Sequence, residues 1–242
     1  MQMRISGWLR GLALAIGTAA LAAPLAARAE PDRPVVVELY TSQGCSSCPP
    51  ADALFATLAS RDDVIALALH VDYWDYIGWK DVFASPQFTK RQKAYAKAAG
   101  RRSIYTPQMV VHGQEDVVGT HPMDVAELVM QHRARPSLVS LEVSRAAQGE
   151  ISIRATSEQK LDQDLLVQLV RYRPEARVDV LRGENAGRTL VYTNIVTDWQ
   201  VLGRWDTATP LDVSAKAPGD EPVVVLIQRA GPGAIEAAVR LR

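Results

Sequence analysis

Two kinds of hydrophobic pattern follow one another along the chain. In the first, apolar residues come in short, nearly unbroken runs, Val35-Val36-Val37-Glu38-Leu39-Tyr40 and then residues 64–71, Val-Ile-Ala-Leu-Ala-Leu-His-Val. Such runs belong to strands covered on both faces, hence to a sheet with parallel strands and helices on either side. Helical spacing fills the intervals. Leu54, Phe55 and Leu58 share one face of a helix predicted over residues 51–59, which ends at Ser60-Arg61-Asp62-Asp63. A second helix is predicted from Ser85 or Pro86 to Ala99, and a third, opened by His121-Pro122, from Met123 to about Ala134. Between them, residues 108–112 and a short run ending Val117-Val118-Gly119 read as two further strands. After Pro136 the pattern changes. Val139, Leu141 and Val143 alternate with Ser140, Glu142 and Ser144, and Ile151, Ile153 and Ala155 alternate with Ser152 and Arg154 across a turn at Gln148-Gly149. Period two marks half-exposed antiparallel strands. Others are predicted over residues 165–172, 178–181, 188–195, 223–229 and 235–241, separated by turn residues. The expected fold is an α/β domain over residues 30–135, a central mixed sheet flanked by helices, followed by an all-β, sandwich-like domain over residues 136–242.

Residues 1–29 are read apart from both. Arg4 and Arg10 flank an uncharged run from Gly11 to Ala23, and Ala27-Arg28-Ala29 supplies small residues for cleavage, so the segment is expected to be a signal peptide with the mature chain starting near Glu30. An uncleaved anchor fits less well, because the run is shorter than the roughly 20 residues a span needs and Pro24 follows it. A periplasmic or secreted protein with no stable membrane insertion after cleavage is the expectation. Removing Arg4, Arg10 and Arg28 leaves 24 basic against 27 acidic residues, a net charge of −3. No basic patch recommends nucleic acid as a partner.

The chemistry concentrates at the end of the first apolar run, where Thr41-Ser42-Gln43-Gly44 leads into Cys45-Ser46-Ser47-Cys48-Pro49-Pro50-Ala51-Asp52. Turn residues followed by two prolines announce a helix start, and Asp52 in its first turn suits the positive end of the helix dipole. The chain's only two cysteines therefore sit in a strand-to-helix turn, the setting of thiol–disulfide chemistry. A disulfide closing so short a loop removes little chain entropy, which favours a chemical over a purely structural pair. Cys45, just before the helix and by position the more exposed, is expected to attack a substrate disulfide, and Cys48, shielded by the turn, to resolve the mixed disulfide. Pro49-Pro50 should push Cys48 and Pro49 away from helical angles and delay the helix to Pro50. A closed zinc site is excluded because it needs four ligands and no second cysteine pair exists. Residues 72–81 form a dense aromatic and acidic loop at the carboxyl end of a strand, where open α/β sheets place their sites. Tyr73, Trp74, Tyr76 and Trp79 there are either a substrate-binding rim or a hydrophobic plug. His112, His121 and His132 read as surface or cap residues. Glu184-Asn185-Ala186-Gly187-Arg188 reads as a tight turn whose polar groups could contact the first domain.

The order β-α-β-α-β-β-α, with C-x-x-C at the first junction and Thr106-Pro107 before the third strand, resembles the thioredoxin fold over residues 34–135. The resemblance implies that Pro107 is a cis-proline facing the disulfide and that Thr106 offers a backbone edge to an extended substrate. It also implies that Glu38, in the first strand, is a buried acid accepting the Cys48 proton. Read from the alternation, Glu38 shares a face with Val36 and Tyr40, and burial among apolar neighbours would disfavour its charged form. More closely, the motif Thr41 to Pro50, with His70-Val71-Asp72-Tyr73-Trp74-Asp75, Gly78-Trp79, Gly183-Glu184-Asn185 and Gly187-Arg188-Thr189-Leu190, is similar to a bacterial family of secreted thioredoxin-fold proteins of unknown function. The expected activity is thiol–disulfide exchange, without a cofactor, on a thiol- or disulfide-containing protein or a small thiol. The alternative is a non-enzymatic module in which the soft set Cys45, Cys48 and His70 holds copper(I), or a binding protein whose disulfide is merely structural. His70 can equally be a packed, hydrogen-bonded strand-end residue.

Overall fold

The first strand, β1 (Val35–Thr41), is buried along its whole length, and the alternation of its side chains decides what lies on either side. Val35, Val37 and Leu39 face Ala51, Phe55 and Leu58 of helix α1 (Pro49–Ala59) and Val125 and Val129 of helix α3 (Pro122–Arg133). Val36 and Tyr40 face the other way, with Phe88 and Tyr95 of helix α2 (Pro86–Ala98). Strand β2 (Val64–His70) runs parallel to β1, with Val35 opposite Val64 and Thr41 opposite His70. Strand β3 (Gln108–Val111) pairs antiparallel with the other edge of β1, and β4 (Glu115–Val118) antiparallel with β3. The computed structural model describes residues 33–231 and 233–242; the expected signal peptide lies outside them. No helix among the described residues is long and apolar enough to cross a membrane.

Beyond α3 the described residues form strands, apart from a short 3-10 turn at Ala147–Gly149. The strands β5 (Val139–Arg145), β6 (Glu150–Ser157) and β9 (Leu211–Lys216) form a three-stranded antiparallel sheet, while β7 (Leu165–Val180), β8 (Arg188–Trp205), β10 (Val223–Arg229) and β11 (Ile235–Leu241) do not form a separate one. They extend the first sheet into eight strands ordered β11-β10-β7-β8-β2-β1-β3-β4. The boundary expected at Pro136 is thus crossed by hydrogen-bonded sheet, and the described residues form one compact unit. Alternation along β10 explains how two cores coexist. Val224 and Leu226 join the α2 side, whereas Val223, Val225 and Ile227 meet Ile151, Ile153 and Ala155 of the small sheet.

The seam between the two halves of the large sheet is narrow. Ala68 pairs with Ile195, Asn194 donates through Nδ2 to the Ala66 carbonyl at 3.0 Å, and Arg240 reaches the Val64 carbonyl at 3.0 Å. Asn194 has a φ of 52°, outside strand geometry, and stands opposite Pro174 in the β7–β8 register. That pairing explains why β7 is longer than the sequence reading allows. A proline cannot donate to a ladder, so a break is expected there, but here its partner is already turned out of the ladder. The alternation Leu211, Val213, Ala215 makes β9, a strand beyond those predicted from the sequence. His132 is buried against Glu115 and His112 accepts from the Val36 amide, so these two are internal; His121 alone of the three is exposed.

Glu38 corrects a second expectation. Its carboxylate is wholly buried but not alone: Arg91 donates to Oε2 at 2.7 Å and to Oε1 at 2.8 Å, Tyr95 to Oε1 at 2.7 Å and Tyr40 to Oε2 at 3.0 Å. Arg91 also bonds Gln228 of β10 and lies 3.9 Å above the Trp199 ring of β8. Desolvation opposes the Arg91 charge, yet the Glu38 carboxylate outweighs it and raises the guanidinium above its ordinary value. The group lies on the α2 face of β1, across the sheet from α1, so Glu38 is no proton acceptor for Cys48. Removing one partner of a buried pair leaves the other uncompensated. Glu38→Gln and Arg91→Met are each expected to lower stability at neutral pH by roughly 3–5 kcal/mol. Chemical denaturation measures this; a gain in stability for Glu38→Gln would contradict the pairing.

Candidate functional site

The turn between β1 and α1 is built from local bonds. The Gly44 amide donates to Ser42 Oγ at 3.1 Å, the Cys45 amide to the Ser42 carbonyl at 3.1 Å and the Cys48 amide to the Cys45 carbonyl at 3.3 Å. A side chain at Gly44 would lie 3.1 Å from Trp74 Cβ and 3.2 Å from Ile77 Cδ1, so the aromatic loop packs closely where glycine leaves room. Cys45 and Cys48 are joined in a disulfide. Cys48 has φ −79° and ψ −35°, and its carbonyl accepts from the amides of Ala51 and Asp52. The helix therefore starts at Pro49, not Pro50, and the expected distortion of Cys48 is absent: α1 packing on β1 outweighs the bias a following proline imposes.

Both cysteines are buried, Cys45 at 1% exposure and Cys48 at 0%, while Ser46 and Ser47 between them are exposed. Cys45, expected to be the more exposed of the two, is enclosed almost as fully as Cys48, and the long β7–β8 hairpin is the reason. Its turn carries Asn185, buried, whose Nδ2 donates to the carbonyls of Gln43 at 2.9 Å and Cys45 at 3.0 Å. Glu184 accepts from the Ser46 amide at 3.4 Å, and Arg188 holds Asn185 Oδ1 at 2.9 Å. Residues more than a hundred positions downstream thus close over the cysteine loop.

The aromatic loop closes it from another side. Trp74 packs against Gly44 and donates to Thr106 Oγ1 at 2.7 Å, and Trp79 donates to Gln43 Oε1 at 2.8 Å. Tyr73 and Trp74 rest against the core beside α2, and of the loop's aromatics only Tyr76, 81% exposed, is largely free. The Thr106–Pro107 bond is cis, as the sequence reading has it. Pro107 is buried beside Gly119, where an added Cβ would meet Ala51 at 3.1 Å and Pro107 at 3.2 Å. The structure therefore brings Trp74 to the cysteine loop, Thr106 to Trp74, and Pro107 to the first turn of α1.

His70 is a packed, hydrogen-bonded residue at the end of β2. Its Nδ1 lies 2.7 Å from Asp81 Oδ2, both side chains wholly buried, and Asp81 also accepts from the amides of Gln43 and Phe83, each at 2.8 Å. Burial works against the Asp81 carboxylate, but His70 and these amides outweigh it and hold it below the usual carboxylate range. An acceptor-only carboxylate takes the Nδ1 hydrogen, which leaves His70 Nε2 without a partner. Among the described residues no group of three or more His, Cys, Asp or Glu side chains is arranged to hold a metal ion. Sequence reasoning missed Asp52 in this layer. It is buried on α1, and desolvation pushes its carboxyl up to about 7, the Asp81 charge adding to the shift while His70 and the Thr41 hydroxyl oppose it. Its spacing of four from Cys48 was the available signal.

An eight-stranded mixed sheet with helices on both faces, an attached antiparallel sheet and a C-x-x-C disulfide at the β1–α1 turn define the class of this protein. The chain belongs to the family described as "protein of unknown function (DUF1223)", whose model matches residues 36–228. It is similar to a protein from Agrobacterium tumefaciens of known crystal structure, with 32% identity over 88% of this chain and 96% of that one and a TM-score of 0.74. A search of curated proteins finds no match.

Two outcomes follow from the geometry. Asn185→Ala removes both bonds to the loop carbonyls and is expected to cost about 1–3 kcal/mol and to speed reduction of the disulfide by dithiothreitol; an unchanged rate would mean that the turn does not restrict access. Asp52, protonated more readily folded than unfolded, contributes a stability penalty that is absent below its unfolded value near 4 and grows as pH rises to about 7. Asp52→Asn should match the parent near pH 4 and exceed it by roughly 2–4 kcal/mol at pH 8. Urea unfolding at the two pH values checks this.

Proposed function

We propose that this protein is an exported thiol–disulfide exchange protein built on a thioredoxin-like fold. The observation that carries the reading is the placement of the chain's two cysteines: disulfide-bonded, at a strand-to-helix turn, with Cys48 capping α1. The element order from β1 to α3, with β1 and β2 parallel and β3 and β4 antiparallel, supports the thioredoxin-like assignment of that half. Free amides at a helix start favour the thiolate that exchange requires.

In this reading Cys45 attacks. It adjoins the exposed Ser46 and Ser47, and Ser47 Oγ lies 3.4 Å from its sulfur. Cys48 is enclosed beneath the turn and resolves. The substrate is a disulfide or thiol of a protein or a small molecule, and the Asn185 contacts must part to admit it. Thr106 and Trp74 border its approach. Export rests on the residue pattern from Arg4 to Ala29, which suits a disulfide-permissive compartment.

The test is dithiothreitol-driven reduction of a protein disulfide by the mature chain. Cys45→Ser is expected to abolish turnover, and Cys48→Ser to trap a mixed disulfide visible by mass spectrometry. Equal turnover in the parent and both variants would assign the activity elsewhere and leave the disulfide a structural one.

A further inference from the structure

Beneath the disulfide lies a buried polar layer that packing alone does not explain. Thr41 and His70 are register partners at the ends of β1 and β2. By alternation both point to the α1 face, Thr41 with Val37 and Leu39, His70 with Ala66 and Ala68. Above them, the Asp52 amide bonds the Cys48 carbonyl at 3.1 Å, so Asp52 is one helical turn after Cys48 on the same face. Side chains on a helix lean toward its N-terminus, which carries the Asp52 carboxyl back under Cys48. Tyr192 of β8 closes the layer, its ring centroid 4.6 Å from that of His70. His70 Nε2 and Tyr192 Oη are buried there without a hydrogen-bond partner. Unpaired buried polar atoms are costly, and their concentration at one place points to use.

We infer that Asp52 is the group that exchanges a proton with Cys48, and that His70, held by Asp81, positions and tunes it. This rests on the exchange reading above. When Cys48 resolves a mixed disulfide at Cys45, its thiol proton passes to the Asp52 carboxylate. Its sulfur electron pair forms the bond to Cys45 Sγ, and the bond from Cys45 Sγ to the substrate sulfur breaks. The substrate leaves as a thiolate with that bonding pair. Cys45 and Cys48 end oxidised, and the substrate sulfur ends reduced. In the opposite direction an incoming thiolate opens the Cys45–Cys48 bond, and protonated Asp52 neutralises the leaving Cys48 thiolate.

The groups facing Asp52 fit the task. His70 from β2 and the Thr41 hydroxyl from β1 favour its ionised form; Asp81 from the aromatic loop opposes it, as does burial, which acts most strongly. Tyr192 from β8 has its phenol raised by burial and by Asp52 and Asp81, with Arg188 acting against them, so it stays a neutral donor. The resulting value of about 7 lets Asp52 take or give a proton near neutral pH.

The test mixes reduced protein with an aromatic disulfide whose thiolate is coloured. Attack by Cys45 releases the first equivalent and resolution by Cys48 the second. In the parent the second phase is expected to quicken with pH through an inflection within about one unit of 7. Asp52→Asn should slow that phase about tenfold or more and remove the inflection, while the first phase changes less than about twofold. An unchanged second phase with its inflection intact would overturn the assignment. Should Asp52→Asn not fold, His70→Gln is expected to displace the inflection, and an unmoved one would overturn it equally. A parent that releases no thiolate through Cys45, judged against Cys45→Ser, overturns the exchange reading itself, a result distinct from a normal first phase followed by an unaltered second.

Discussion

Glu38 and Arg91 put a full negative and a full positive charge into a layer lined by Phe88, Tyr95, Trp199 and Leu226, where neither could stand unpaired. The pair is bidentate, and two phenols complete the carboxylate's acceptor capacity. Its consequence reaches beyond β1. Arg91 brings α2 onto Gln228 of β10, Gln228 bonds Gln168 of β7, and Gln168 accepts from Trp199 of β8. The chain's early α/β elements and its late strands are thus locked by one polar network under a shared apolar core. That lock complements a sheet seam in which Ala68 and Ile195 supply the bridging pair.

Coupling the halves is what completes the site. A β7–β8 hairpin anchored at its base by the network projects its turn over the cysteine loop, and the packing of Val180, Leu190 and Tyr192 against Trp79 and Phe83 steers it there. The loop is then held from two directions, by Asn185 on its carbonyls and by Asp81 on the Gln43 amide. Asp81 serves two masters, since the same carboxylate orients His70. Positioning the disulfide and setting the electrostatics beneath it are therefore one construction.

Much of this was legible in the residues, and the failures have physical causes. Uniform apolar runs announced β1 and β2, and period two announced β5 and β6, because burial on two faces or one leaves different patterns. The cysteine turn was legible from its chemistry. Glu38 was visible as a buried acid, but Arg91 lies 53 positions away and no local rule joins them. The continuous sheet was hidden for a similar reason: parallel contact between β2 and β8 needs Asn194 turned out of the ladder, which its neighbours do not signal. Asp52 stood in plain view at the helix start, where a favourable dipole explained it well enough that its spacing from Cys48 went unused. His70 and Asp81 are eleven positions apart, and no local rule joins them.

Under the proposed function the cysteine pair cycles between its two states and does not staple the fold. The reduction potential of Cys45–Cys48 in the mature protein decides this most directly, by equilibration in graded dithiol buffers and trapping with an alkylating agent. Reversible titration above about −300 mV, in the range of disulfides that exchange with cellular thiols, is the predicted result. A pair still oxidised well below that potential, or one whose reduction unfolds the chain, would be a structural disulfide and would contradict the account.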